Sequence, residues 1–145
     1  MSPTDTIAAA IAEFCRESGV PHFSFNDDGL ACLKMADGRE VFLIYLAEDA
    51  RLFAAAELRK LPLDPTVRGV VAELALGLNF LQQGTGPAAL SLKADGLFCQ
   101  YEYAVDALNG EALGLGMALV LEKGKIINEA IRETVRSVME VAVDV

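Results

Sequence analysis

The chain has 145 residues, is 53% hydrophobic and carries a formal net charge of -9. A chain of this length buries roughly 70% of the surface its unfolded form exposes, so a single domain, residues 1–145, needs no disulfide or metal staple. A pI near 4.5 without any basic cluster repels phosphate backbones and argues against nucleic acid as a partner.

The first helix is bracketed by Ser2 as N-cap with Pro3 at the first helical position, and by Gly19 and Pro21 at its end. Ile7, Ile11, Phe14 and Cys15 form its apolar stripe. The opening run MSPTDTIAAAIAEF carries Asp5 and Glu13 but no early Lys or Arg. It lacks the basic region of a secretory signal, and a cytoplasmic location is expected. Strands are expected near 22–26, 30–35 and 40–46, separated by NDDG and ADG, whose residues suit tight reversals. The last of these strands is apolar on both sides, with Val41, Leu43 and Tyr45 alternating with Phe42, Ile44 and Leu46. One layer of helices hides one face only, so a second covering surface is implied, in this molecule or another. The stretch RLFAAAELRKLP, 51–62, fits helix by its alanines and strand by the alternation of Leu52, Ala54, Ala56 and Leu58; strand is the expectation.

Asp64 and Pro65 repeat the cap-then-proline signal, and a second helix is expected to run to about Gln83 before Gly84. Val67, Val70, Val71, Leu74, Leu78 and Leu81 make one apolar stripe on it, while Gly69, Ala72, Leu76, Gly77 and Phe80 make another. A helix apolar nearly all round must be covered nearly all round, which points to a subunit contact. The longest uncharged stretch, 74–92, is interrupted by Asn79, Gln82, Gln83, Gly84, Gly86 and Pro87, so membrane insertion is not expected. Residues 88–105 read as an Asp-Gly hairpin, and a last helix starts near Asp106 or Asn109. Gly114, Gly116 and Gly124 weaken that helix enough to allow a break, and EVAVDV reads as a frayed tail.

Little here is built for chemistry. Cys15, Cys32 and Cys99 are odd in number, lie in apolar runs and lack metal-ligand spacing, so buried reduced thiols are expected. The one histidine, His22, has no neighbouring Cys or Asp dyad. GLGMAL lacks the third glycine of a dinucleotide fingerprint, and QGTGPA lacks the Lys and Ser/Thr of a phosphate loop. Asp27/Asp28 and Glu48/Asp49 sit in turns, where carboxylates are common. No metal ligand, cofactor site or catalytic residue is assigned.

The order of helix, strand meander, helix, hairpin and helix resembles the class I type III secretion chaperones, the Tir chaperone family. The resemblance spans about residues 3–138 and rests on FNDDGLACLKMADGREVFLIYL, LPLDPTVRGVVAELALGLNF and ALSLKADGLFCQYEY. It implies an α+β fold, an antiparallel twisted sheet flanked by three helices, with three or four strands before the second helix. It also implies a homodimer without cofactor or nucleotide hydrolysis that binds the extended N-terminal segment of a secreted effector. Carried onto this sequence, client contacts fall at Ile11, Phe14, Phe23, Phe25, Leu30, Cys32, Phe42 and Ile44. The dimer interface falls on the second helix and the neighbouring hairpin, with the helix contributing Val70, Leu74, Leu76, Leu78, Phe80 and Leu81. Two alternatives stay open: a regulator on the same scaffold that sequesters a transcription factor's antagonist, and a small-molecule binder or enzyme, which would need convergent polar groups in an apolar pocket.

Overall fold

The computed structural model describes residues 1–144, with side chains through Met139. In chain order the elements are α1 (Pro3–Ser18), β1 (Leu30–Lys34), β2 (Glu40–Leu46), β3 (Arg51–Lys60), α2 (Pro65–Asn79), β4 (Ala89–Lys93), β5 (Gly96–Glu102) and α3 (Gly110–Asp144). The five strands form one antiparallel sheet in the order β1-β2-β3-β5-β4. This is the α+β architecture the sequence implies. Both expected caps are made: Ser2 Oγ accepts from the Asp5 N–H at 3.1 Å, and Asp64 Oδ1 accepts from Thr66 and Val67 at 2.9 and 3.0 Å.

Three strands, rather than four, precede α2. Residues 22–26 are not a strand, because only Asn26 reaches β1: its N–H donates to Leu30 O at 2.9 Å, and its Oδ1 accepts from the Leu30 N–H at 3.0 Å. Upstream the segment follows α1, with Cys15 Sγ donating to Pro21 O at 3.6 Å. Phe23 and Phe25 therefore pack against the core from a loop. The ambiguous stretch is strand, and at ten residues β3 is the longest in the sheet. Its alternation prevails over its alanine content because it pairs on both sides, with β2 and β5.

The helix-covered face of the sheet holds the core. Val41, Leu43, Leu52 and Ala54 are fully buried there with Leu113, Val120 and Ile131 of α3. The glycines of α3 do not break it. A Cβ on Gly116 would stand 2.5 Å from the Tyr103 hydroxyl, and one on Gly124 would stand 2.6 Å from Leu58 Cδ2. Bare backbone at these points lets α3 lie close on β3 and β5, and that packing outweighs a propensity cost of about 1 kcal/mol per glycine. The helix backbone also continues through the expected tail as far as Asp144; Val145 lies outside the described residues.

The second helix is shorter than expected. It ends at Asn79, and the following turn, Phe80–Gln82, carries positive φ at Leu81 (50°) and Gln82 (57°). The Asn79 carboxamide is engaged elsewhere, accepting from the Leu90 N–H at 2.8 Å and donating to Leu90 O at 3.1 Å. That clasp joins the end of α2 to the edge strand β4.

Candidate functional site

Strand parity sorts the apolar residues of the meander. Register aligns Leu30 with Ile44 and Cys32 with Phe42, and aligns Ile44 with Phe53 on β3. These five side chains share the face opposite Val41 and Leu43. Leu30, Phe42, Ile44 and Phe53 are half-buried and Cys32 is exposed. The expectation of three buried thiols is thus corrected: Cys15 and Cys99 are buried, but Cys32 falls on the uncovered parity of an edge strand. All three are free. Burial raises the Cys99 thiol to about 11, and partial desolvation, with a contact to Glu40 at 3.5 Å, raises that of Cys32.

The same strand leaves backbone groups unpaired. Met35 N donates to Arg39 O and Tyr45 N to Gly29 O, so the odd-numbered residues of β1 exchange bonds with β2. Cys32 and Lys34 then direct their N–H and C=O groups off the sheet edge.

On the opposite side, between α1 and residues 22–25, lies an apolar cleft of about 120 Å³. Ile7 and Ile11 form its helix wall and Phe23, Phe25 and Tyr45 the other. Tyr45 is fixed by a 2.7 Å hydrogen bond to Thr4 Oγ1 and by a tilted ring contact with Phe25, 5.7 Å between centroids. His22 also lines this cleft, and no carboxylate or cysteine does.

The eight expected contact residues therefore lie in three places. Ile11, Phe23 and Phe25 share the cleft, Leu30, Cys32, Phe42 and Ile44 share the outer sheet face, and Phe14 stands apart against α3. Ile11, only 3% exposed, is part of the core as well as the cleft wall. Tyr45 and Thr4 were missed because their meeting joins residues 41 apart in sequence. Phe53 was legible from the alternation of β3 but hidden by the open choice between helix and strand.

The stripe on α2 divides similarly. Val71 and Ala75 are buried, Leu74 and Leu78 pack against the core, and Val70 is half-buried. Leu76, Phe80 and Leu81 are 71%, 63% and 76% exposed, and Leu92 of β4, beyond the Asn79 clasp, is 50% exposed. Leu81 leaves the inward stripe because its positive φ ends the helical period. Leu92 was not singled out in the sequence.

One ion pair of the outer face joins β3 to β5. Arg51 makes a two-pronged contact with Glu102, at 2.8 and 2.7 Å, which holds that carboxyl below the usual range, and lies 5.0 Å over the Phe53 ring. Among the described residues no group of three or more His, Cys, Asp or Glu could hold a metal ion, and no helix is long and apolar enough to cross a membrane.

Residues 9–125 match the model of the Tir chaperone protein (CesT) family. The chain belongs to that family. No curated protein sequence matches it significantly. Among solved structures, it is similar to a chain of the ExsC–ExsE complex, at 19% identity and a TM-score of 0.70, covering 90% of this chain and 97% of that one. It is also similar to a chain of the HopA1–SchA chaperone–effector complex, at 17% identity and a TM-score of 0.67, covering 89% and 98%. A third is the Yersinia pestis type III secretion chaperone SycH solved with a fragment of YscM2, at 17% identity and a TM-score of 0.60, covering 83% and 98%. At such identities these likenesses establish a shared fold. The chain is thus a Tir-family chaperone with the α+β fold of type III secretion chaperone structures.

Proposed function

We propose that this Tir-family chain is a non-enzymatic, cytoplasmic, homodimeric chaperone that holds the N-terminal segment of a type III secretion effector in extended form, soluble and ready for export. The observation that carries the reading is the outer face of β1–β3. There Leu30, Cys32, Phe42, Ile44 and Phe53 remain accessible beside a strand edge with free backbone groups. An extended polypeptide supplies both things such a surface lacks: side chains for the apolar row and a partner for the edge. The cleft beneath α1, lined by Ile11, Phe23 and Phe25, takes a single apolar anchor of the same segment, and Phe14 marks a further contact. The two subunits meet through Leu76, Phe80, Leu81 and Leu92, with Val70, Leu74 and Leu78 supporting them from below. This second pairing surface lies at the opposite sheet edge, so one dimer offers two client tracks.

The test is purification from the native cell, mass spectrometry of any bound polypeptide, and amide hydrogen exchange with and without it. Expected is a polypeptide disordered when alone, with protection spread along an extended segment and over residues 7–46 of the chaperone. A partner that binds as a prefolded domain, or protection confined to α2 and β4–β5, would refute the reading.

A further inference from the structure

A second groove lies at the meeting of α1 and α3, away from the outer sheet face. One part, about 390 Å³, lies along Glu13, Phe14, Glu17, Glu111, Gly114 and Leu115. It shares Phe14 and Gly114 with a part of about 480 Å³ that runs on past Met35, Met117 and Glu122. The floor is open because position 114 has no side chain: a Cβ there would come within 3.2 Å of the Phe14 ring. Leu115, 64% exposed, forms an apolar wall.

The rim is of one sign. Glu13, Glu17 and Glu111 belong to none of the ion pairs among the described residues. The one cation lining the groove, Arg39, is already held by Asp37 at 2.7 Å and Glu122 at 3.6 Å. Arg16, in the last turn of α1, does not line it. The helix ends that meet here, the C-terminus of α1 and the N-terminus of α3, carry opposed dipoles, so the carboxylates set the field.

From this pairing of apolar floor and unneutralised carboxylates, we infer that the groove is a docking site for a cationic amphipathic segment of the partner polypeptide. Aliphatic side chains enter over Phe14 and Gly114, and Lys or Arg side chains meet Glu13, Glu17 and Glu111. This rests on the reading of the protein as a polypeptide holder and adds the class of segment it takes: selection by charge at this groove, beside apolar and strand contacts elsewhere.

The test uses the full chain and a labelled synthetic peptide of about 12 residues, three helical turns, with leucines on one face and arginines beside them. A charge-reversed twin with glutamates and an arginine peptide without leucines serve as controls. Expected is binding by the first peptide only, weakened by salt, with NMR amide shifts at residues 13–18 and 110–115. The triple change Glu13→Gln, Glu17→Gln and Glu111→Gln should weaken binding roughly tenfold. If the triple variant misfolds, Glu17→Gln and Glu111→Gln, both at exposed positions, should each weaken it by roughly two- to threefold. Equal binding of the twin, shifts mapped elsewhere, or unchanged affinity in the carboxylate variants would overturn the inference. So would protection of these amides that rises with protein concentration alone, which would assign the groove to a second copy. A native polypeptide that co-purifies but is indifferent to these substitutions sinks the charge selection and leaves the chaperone reading standing; no co-purifying polypeptide removes the chaperone reading itself.

Discussion

The two faces of β1–β3 are made of the same kinds of residue and end in opposite circumstances. Val41, Leu43, Leu52 and Ala54 are fully buried under α3, while Phe42, Ile44 and Phe53, interleaved with them on the same strands, keep part of their surface free. Composition does not separate the two sets; the parity of the pleat does. Apolar content therefore states how much surface needs a cover, and only the placement of the helices states which part is covered within the chain. One face supplies stability, and the other leaves apolar surface accessible. The α2 helix repeats the division, with Val71 and Ala75 inward and Leu76 outward.

The comparison breaks if the covered face can be truncated cheaply. Leu43→Ala is expected to lower the unfolding free energy by about 2–5 kcal/mol in urea titrations, and a loss under about 1 kcal/mol would mean that α3 does not seal this face. On α2, the proposed dimer predicts that Leu76→Asp halves the mass seen in sedimentation velocity while the chain stays folded; a parent that is itself a single chain refutes the dimer, and a variant that keeps the parent's dimeric mass moves the subunit contact off this stripe. On the open face, Phe42→Ala should weaken a co-purified effector at least tenfold, or about 1.4 kcal/mol, with a smaller change in stability. The reverse order of effects would return Phe42 to the core.

Thiol chemistry sharpens the same contrast without mutation. Only Cys32 should react with an aromatic disulfide in the native chain, slowly because its thiol is raised by desolvation, and Cys15 and Cys99 should react on unfolding. Bound effector should slow Cys32 further. The smallest effect is at the exposed Arg51–Glu102 pair. Glu102 is held below its usual range, so its stabilisation is complete above the unfolded-state value and disappears as pH falls through the lowered folded value. Thermal midpoints between about pH 5 and pH 2 should drop slightly more for the parent than for Glu102→Gln.

Caps and periodicity made most of the fold legible: Ser2, Asp64, Gly19 and the Asp-Gly turns lie where the elements begin and end. What escaped is tertiary. The 22–26 run alternates like a strand, yet Cys15 and Asn26 hold it to α1 and to the start of β1. The glycines of α3 look like helix breakers until Tyr103 and Leu58 are seen beneath them. Of the proposed contacts, Phe42 and Ile44 share a face by pleat period, but that Leu30 and Cys32 join them depends on register and that this face is the open one depends on where the helices lie. That Ile11 and Phe25 share a cleft with Tyr45, while Phe14 does not, depends on how α1 lies across the sheet, which no local pattern encodes.

The Asn79 clasp gives the sheet a direction of growth. A carboxamide carries the same donor and acceptor as a peptide group, so by engaging both backbone groups of Leu90 it stands in for one residue of a sixth strand. At that point β4 cannot template a neighbour, whereas the β1 edge can. The clasp thus blocks strand addition at Leu90 of β4, and the head-to-tail ribbon that two fully open edges would permit is interrupted there. If the β1 edge takes an extended chain, as proposed, that asymmetry favours holding a client strand over seeding a fibre.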